Sequence, residues 1–200
     1  MKFIIIDYGA GNATNVKSAL LKIGVSSMIS SDAATWTNAD ALIFPGVGSF
    51  GAAMKNLGNK SEILKDLITK GKPFLGICLG MQLLMDASEE SSGVQGLGII
   101  PGKAKLFITS LPVPQMCWNK VKSLNSPLFD GLDEFYAYFV HSYYCDLSDS
   151  SYVSAKTEYG GITFASAFWR KNIYATQFHP EKSGVKGLQL LRNFITEVKK

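Results

Sequence analysis

The stretch Gly76-Ile-Cys-Leu-Gly80 constrains the fold of this chain more than any other. Apolar residues at 74–75 precede it and the mostly apolar run Met81-Gln-Leu-Leu84 follows it, which places it at a turn from a buried strand into a helix. That turn is so tight that glycine is needed at both ends, where Cβ atoms would collide. The pattern predicts a nucleophilic Cys78 at the carboxyl edge of a parallel sheet, with the N–H of Leu79 as an oxyanion donor. A buried cysteine at an ordinary strand end is the competing interpretation.

The first half of the chain repeats a rhythm of apolar strand, glycine turn and amphipathic helix. Its predicted strands are 2–7, 26–30, 40–44 and 73–78, and its predicted helices are 14–23, one around 54–57, 63–68 and 81–85. The second half offers closely spaced strand patterns at 103–108, 135–144, 152–157, 163–169 and 172–178, followed by a helix at 187–198. We therefore predict one α/β domain over residues 1–200, with three layers and a mostly parallel central sheet that has an antiparallel extension.

The bulk composition argues against several classes of function. The 200 residues carry 20 Lys and Arg against 16 Asp and Glu, spread along the chain, so no basic patch predicts nucleic-acid binding. No apolar run approaches the ~20 residues of a membrane span, and Phe3–Ile6 is too short for the core of a secretion signal. Three scattered cysteines and two histidines lack the spacing of metal ligands. We expect free thiols, no metal, no cofactor and a cytoplasmic location.

A nucleophilic cysteine needs a neighbouring base, and the chain contains only two histidines. His179 lies where Pro180 ends a predicted strand, and Glu181 could accept its second imidazole N–H and fix the tautomer. Taken alone, this segment is more typical of a surface turn. His141 lies in an aromatic strand with no carboxylate near it in sequence, which favours a hydrogen-bonded structural role.

Two glycine-rich turns follow predicted strands. Residues 45–48, Pro-Gly-Val-Gly, have the backbone freedom to point an amide into a site as a second oxyanion donor, although an ordinary strand–helix connection fits them better when they are considered alone. The turn at 8–12 lacks the third glycine of a dinucleotide-binding loop, because position 14 is threonine. Asn12 and Asn15 could instead present polar groups at the carboxyl edge of the sheet, where ligands and partners bind.

Taken together, these segments resemble the class I glutamine amidotransferases, which have a flavodoxin-like fold. Gly76-Ile-Cys-Leu-Gly-Met-Gln82 and Gln177-Phe-His-Pro-Glu181 carry the resemblance. Further blocks make the chain similar to one branch, the glutaminase subunits of imidazole glycerol phosphate synthase. These are Asp7-Tyr-Gly-Ala-Gly-Asn12, Pro45-Gly-Val-Gly-Ser-Phe-Gly51, Gly96-Leu-Gly-Ile-Ile-Pro-Gly102, Phe139-Val-His-Ser-Tyr143 and His179-Pro-Glu-Lys-Ser183.

The resemblance implies a mechanism. Cys78 attacks the γ-amide of glutamine, His179 accepts the thiol proton and returns it to the departing ammonia, and Glu181 orients His179. Water then hydrolyses the γ-glutamyl thioester to glutamate. The implied oxyanion donors are backbone amides of Gly46, Val47, Gly48 and Leu79, and the implied glutamine contacts are Gln82, Ser142 and Tyr143.

The resemblance also implies a partner. Ammonia from such a subunit passes to a separate cyclase subunit with a (β/α)₈ barrel, and the two subunits form a heterodimer. The cyclase makes imidazole glycerol phosphate and an aminoimidazole carboxamide ribotide. Family members are nearly inactive alone and are switched on by the liganded cyclase, a coupling expected to act through the loop at 46–48. The residues implied to face the partner are Asn12, Asn15, Met116 and Trp118.

One segment departs from the family pattern. Gln115-Met-Cys-Trp-Asn119 stands where His-Met-Gly-Trp-Asn is usual, at the implied interface. This departure does not affect Cys78, His179 or Glu181, but it leaves open which synthase is the partner. Three alternatives remain: a related glutaminase subunit that feeds another synthase, such as one that amidinates bacterial surface sugars; a free-standing cysteine hydrolase or peptidase; and a catalytically silent regulatory or scaffold subunit.

Overall fold

The structure, a computed structural model, describes residues 1–9, 12–123 and 126–200. Strands and helices alternate through the first half of the chain. The helices are α1 Ala13–Lys22, α2 Ala33–Thr37, α3 Phe50–Leu57, α4 Lys60–Thr69, α5 Leu79–Gln82 and α6 Gly184–Val198. The strands are β1 Phe3–Ile6, β2 Ser27–Ser30, β3 Ala41–Gly46, β4 Phe74–Cys78, β5 Ala87–Ser88, β6 Gly102–Leu106, β7 Gln115–Ser123, β8 Phe135–His141, β9 Tyr143–Leu147, β10 Val153–Tyr159, β11 Ile162–Arg170 and β12 Ile173–Thr176.

The main sheet combines a parallel half with an antiparallel half. Within the described residues its strand order is β2-β1-β3-β4-β12-β11-β10-β7-β8. The first five strands in this order are parallel to one another, and every pairing from β12 to β8 is antiparallel. A smaller sheet, β5-β6-β9, accompanies it. The predicted α/β fold, with a mostly parallel centre and an antiparallel extension, is confirmed.

Helices cover both faces of the parallel half, because its strands are apolar on both sides. In β1, Ile5 packs into a core that contains Leu20 of α1 and Leu190 of α6. Its neighbours Ile4 and Ile6 pack into the opposite core, with side chains of α2, α3 and α4. The sheet is therefore the middle of three layers, and its carboxyl edge is left open between them.

Three predictions from the sequence need correction. The run 135–144 is two strands, β8 and β9, which separate at Ser142 and enter different sheets. The run 172–178, expected in the antiparallel extension, contributes β12, which pairs antiparallel with β11 but in parallel with β4 and so joins the two halves of the sheet. Its four residues are all buried, as a strand covered on both faces requires. The helix expected at 81–85 is the single turn α5, because the carbonyls of Leu83 and Leu84 accept amides from 97–100 instead.

Three elements were missed, and the shortest is β5, a strand of two residues. Helix α2 has only five residues, and Asp32 caps it by accepting a hydrogen bond from the amide of Ala34. Strand β7 alternates buried and partly exposed residues, but its inward positions include Gln115, Cys117 and Asn119, so it lacks an apolar period. It forms because the aromatic strand β8 pairs along it from Gln115 to Val121.

Candidate active site

A strained turn at the end of β4 presents Cys78. Its φ is +54° and its ψ is −108°, in a region that side chains other than glycine rarely adopt. A Cβ atom on Gly76 would lie 2.6 Å from the carbonyl oxygen of Gly80, and one on Gly80 would collide with the carbonyl of Phe44. The two glycines therefore permit the turn, and strain at a single residue is typical of functional sites.

The two neighbouring parallel strands bring the second histidine to the same edge as Cys78. Strands β4 and β12 pair in register, and His179 follows the end of β12. Its Nδ1 lies 2.8 Å from Oε1 of Glu181, and both side chains are buried. Its Nε2 has no hydrogen-bond partner in the described part of the chain. This nitrogen is thus left for proton transfer while Glu181 fixes the ring.

The charge state of His179 depends on Cys78. Burial alone would lower the pKa of His179, but the negative charge of a Cys78 thiolate, reinforced by Glu181, outweighs burial and raises that pKa to about 10. An imidazolium beside a thiolate is the activated form of a cysteine nucleophile. The site therefore favours a protonated His179 next to Cys78.

A pocket of about 230 Å³ opens over Cys78. It brings together with Cys78 every residue predicted for the oxyanion hole and for glutamine contact: Gly46, Val47, Gly48, Leu79, Gln82, Ser142 and Tyr143. Glu90 also lines the pocket, and sequence reasoning missed it. Its carboxylate accepts a hydrogen bond of 2.6 Å from the amide of Phe50, at the start of α3. Because that contact spans 40 positions, no local pattern around Glu90 reveals it.

The backbone at 46–48 is turned toward Tyr8. The Val47 N–H donates to the Tyr8 hydroxyl at 3.2 Å, and this hydroxyl donates to the Val47 carbonyl at 3.1 Å. Burial raises the pKa of Tyr8 to about 12, so the hydroxyl stays protonated and can make both bonds. In this conformation the Val47 amide is occupied and is not offered to an oxyanion in the pocket.

His141 is buried among aromatic rings and has a different role from His179. Its Nδ1 lies 2.8 Å from the carbonyl oxygen of Tyr143, and its ring packs within 6 Å of Phe107, Phe139 and Phe164. Burial lowers the pKa of His141 to about 4, so the ring is neutral at pH 7. This geometry matches the predicted structural role, with His141 holding the carbonyl of a pocket residue.

The two asparagines lie next to the carboxylate of the site. Asn12 precedes α1, and its Nδ2 is 3.5 Å from Oε1 of Glu181. Asn15 is exposed and lines a cavity together with Glu181 and Lys22. A molecule that touched either asparagine would therefore lie close to Glu181.

The two residues of β7 that were predicted to face the partner are exposed. Trp118 is 53% exposed and Met116 is 62% exposed. The Trp118 ring lies 6.3 Å from the ring of Tyr138, which in turn lies 6.4 Å from the ring of His179. Lys182 sits over the same tyrosine, 5.4 Å from its centroid. The ring of Tyr138 therefore links the exposed ring of Trp118 to His179.

The departure from the family pattern lies on the inward face of β7. Gln115 is fully buried, and Cys117, two residues on, is partly buried. The amide of Gln115 contacts the Cys117 sulfur at 3.8 Å. Because side chains alternate along a strand, Met116 and Trp118 point the opposite way, toward the exposed face. The departure therefore leaves the exposed residues of this strand unchanged.

Comparison with known proteins agrees with this geometry. The sequence profile described as "Glutamine amidotransferase class-I" matches residues 4–198. The chain belongs to the class I glutamine amidotransferases. It is 48% identical to the imidazole glycerol phosphate synthase subunit HisH of Methanothermobacter thermautotrophicus, over 96% of each chain. It is 42% identical to the subunit of that name from Bacillus subtilis, over 95% of this chain and 93% of the relative.

Solved structures support the amidotransferase fold. A crystal structure described as glutamine amidotransferase superposes with a TM-score of 0.79 at 17% identity, covering 98% of this chain and 99% of the other. The structure of PurLQS from Thermotoga maritima gives 0.78 at 15% identity, over 98% of each chain. Likeness at these identities concerns the fold alone. Within residues 1–9, 12–123 and 126–200, no helix is long and apolar enough to span a membrane.

Proposed function

We propose that this amidotransferase is the glutaminase subunit of an imidazole glycerol phosphate synthase. It hydrolyses glutamine and passes the ammonia to a separate cyclase subunit with a (β/α)₈ barrel, in the cytoplasm, where the thiol of Cys78 stays reduced. The strongest support is that Cys78 shares one pocket with all the residues expected to contact glutamine. The His179–Glu181 pair follows the end of the neighbouring strand β12. Relatives at 42–48% identity are named as that subunit.

In the proposed reaction, the Cys78 thiolate attacks the γ-amide carbon of glutamine. The oxyanion that forms accepts a hydrogen bond from Leu79 N–H and, once the 46–48 loop reorients, from an amide of that loop. Protonated His179 gives its proton to the departing nitrogen, which leaves as ammonia, while Glu181 keeps the ring oriented. A water molecule that loses a proton to His179 then attacks the thioester. Glutamate leaves, and the thiolate and imidazolium are restored.

The free atoms in the pocket indicate how the substrate's α-ammonium is held. Both N–H groups of Gln82 are committed, to the carbonyl of Tyr143 at 2.9 Å and to Oε1 of Gln177 at 3.3 Å. Gln82 therefore has only its own oxygen to offer a ligand, and that oxygen is an acceptor. Glu90 adds a carboxylate on the pocket wall. Together they suit a cationic amine, so we assign the α-ammonium of glutamine to Gln82 and Glu90.

The proposed partner docks on the residues that surround the catalytic pair. Asn12 and Asn15 lie beside Glu181, and Trp118 reaches His179 through the ring of Tyr138. A cyclase bound at this surface would deliver its signal next to the site that makes ammonia. The buried position of Gln115 supports the histidine-pathway cyclase, because the unusual residue does not alter the exposed face.

The test is glutamate release by the purified chain mixed with the cyclase subunit from the same genome, with and without the cyclase's ribotide ligand. We expect strong stimulation by the liganded cyclase and complete loss of activity in Cys78→Ser. Activity that the cyclase never stimulates would point to another synthase. Full activity in the Cys78→Ser complex would overturn the mechanism itself.

A further inference from the structure

We propose that Gln177 is a positioning residue for Cys78, acting through a buried hydrogen-bond relay. The relay runs from the carbonyl of Tyr143 to the amide of Gln82, then to the amide of Gln177 and on to the sulfur of Cys78. Its successive distances are 2.9, 3.3 and 3.6 Å. The inference rests on the proposed function, in which this sulfur attacks glutamine.

The direction of the relay is fixed at its backbone end. The Tyr143 carbonyl can only accept, so Gln82 must turn its NH₂ group toward it. The second N–H of that group then donates to Oε1 of Gln177. With its oxygen taken, Gln177 has only its own NH₂ group to face Cys78. Gln177 therefore donates a hydrogen bond to the Cys78 sulfur and cannot turn its oxygen toward it.

A donor at this place favours the thiolate. A thiol sulfur is a weak acceptor, whereas a charged sulfur makes a stronger, charge-assisted hydrogen bond. Gln177 is fully buried and Gln82 is 4% exposed, so water does not compete with the relay. The carbonyl of Val140, 3.7 Å from the same sulfur, acts in the opposite sense, because it accepts only from a protonated thiol. Gln177 supplies the contact that offsets Val140.

The relay also joins the nucleophile to the wall of the pocket. The Tyr143 carbonyl accepts a second hydrogen bond, from Nδ1 of His141 at 2.8 Å. Tyr143 and Gln82 both line the pocket over Cys78. The sulfur is thereby held in a fixed relation to the backbone expected to contact glutamine. This relation gives the buried His141 a purpose in the site, since it anchors the far end of the relay.

The decisive variant is Gln177→Met, which keeps the length of the side chain and removes its donor. The chain offers a matched control in Gln115→Met, because Gln115 is also fully buried and also contacts a cysteine sulfur. The measurement is the rate of Cys78 alkylation by iodoacetamide as a function of pH, read by peptide mass spectrometry with added glutathione as the reference thiol. Thermal unfolding confirms that each variant is folded.

We expect Gln177→Met to move the half-maximal rate of Cys78 alkylation to higher pH by about one unit, the effect of losing a hydrogen bond to a charged group. Gln115→Met should leave the profile in place. Gln82→Met, which keeps Gln177 but frees its amide to turn, should give a smaller shift in the same direction. If Gln177→Met does not fold, Gln82→Met tests whether the relay acts on Cys78.

An unmoved profile in folded Gln177→Met overturns the relay, as does an equal shift in Gln115→Met. If Gln177→Met is unfolded, an unmoved profile in Gln82→Met overturns it as well. The outcome is separable from the proposed function. If Gln177→Met shifts the alkylation profile but the wild-type chain releases no glutamate with any cyclase, the relay stands and the proposed function is wrong. If the wild-type chain is a normal glutaminase but Gln177→Met leaves the alkylation profile unmoved, the proposed function stands and the relay is wrong.

Discussion

Two glycine-rich turns meet at the pocket. One is held by steric crowding and the other by hydrogen bonds to the side chain of Tyr8. The turn at 76–80, which carries Cys78, is fixed by crowding: a Cβ on Gly80 would collide with the backbone of β3. The loop at 46–48 is crowded only at its first residue, where a Cβ on Gly46 would lie 2.7 Å from the amide of Gly80. Among the described residues, nothing lies within 4 Å of a Cβ on Gly48, and Val47 is exposed. The only side chain that holds the Val47 backbone is Tyr8, within the part of the chain that the structure describes.

This difference separates the two parts of the proposed machinery. The nucleophile is assembled by folding, because its geometry follows from the packing of β4 against β3 and β12. The oxyanion hole is incomplete, because Val47 N–H is bound to Tyr8. Two hydrogen bonds of about 1 kcal/mol each can be exchanged by a docking partner, whereas a packed backbone cannot. We therefore propose that a docking partner controls activity through the loop.

The largest effect is expected where the crowding is greatest. Gly80→Ala places a methyl group against the carbonyl of Phe44, so β3 and the turn must separate. We expect the free energy of unfolding to fall by at least ~3 kcal/mol, with loss of glutaminase activity. Urea unfolding measures the first and glutamate release the second. A variant within ~1 kcal/mol of wild type would show that the turn is not held by sterics.

A prebuilt nucleophile also predicts how the two histidines titrate. In the partner-free chain, the pKa of His179 should be about 10, because the charge of the Cys78 thiolate outweighs burial, and that of His141 about 4, because it is buried without a charged partner. Since the His179 pKa is raised above its ordinary value, its stabilising contribution is complete below pH 6.5 and is lost as pH rises through about 10.

NMR resolves this prediction, since the chain gives only two histidine ring signals. In Cys78→Ser the thiolate is gone, so the His179 midpoint should fall by more than about one unit while His141 stays unchanged. Two histidines that both titrate near pH 6.5 in the wild type would contradict a charged pair assembled by folding.

A smaller effect is expected at the loop. Tyr8→Phe removes the hydroxyl that binds both the amide and the carbonyl of Val47. Freed from it, the loop should reach its active conformation more often, and partner-free glutaminase activity should rise about thirtyfold, equivalent to two hydrogen bonds of about 1 kcal/mol each. Tyr174→Phe is the control, because Tyr174 is equally buried but packs on Trp169 and Phe194. Unchanged or lower partner-free activity in Tyr8→Phe would mean that Tyr8 does not restrain the loop.

The contrast between turn and loop also explains what the sequence could reveal. Cys78 was predictable because the turn that presents it is encoded within five residues. The segment of His179 and Glu181 was, taken alone, more typical of a surface turn, and only the resemblance to the amidotransferases connected it with Cys78. The Tyr8–Val47 contact spans 39 positions and joins two separate turns, so no periodicity reports it. Glu90 escaped for the same reason.

The fold shows the same division between local and distant information. The alternation of strand and helix gave β1 to β4 and the helices α1, α3, α4 and α6 to within a few residues. The direction of β12 could not be predicted, because a short buried strand is compatible with either pairing and only its neighbour β4 decides. Strand β7 lacked an apolar period because it carries buried polar side chains such as Gln115.

The smallest effect is expected at Gly48, in the loop. Gly48 has a φ of +101°, which alanine adopts at a penalty of about 1 kcal/mol, but no atom of residues 1–9, 12–123 or 126–200 obstructs a methyl group there. Gly48→Ala should therefore lower stability by no more than about 1 kcal/mol, far less than Gly80→Ala.

The penalty falls on the loop conformation that binds Tyr8, so partner-free glutamate release should rise a few-fold. Combined with Tyr8→Phe the gain should be less than the product of the two, because both weaken the same conformation. If Gly48→Ala instead lowers the cyclase-stimulated rate, the positive φ belongs to the active loop, and the Tyr8-bound conformation is not what keeps the chain inactive.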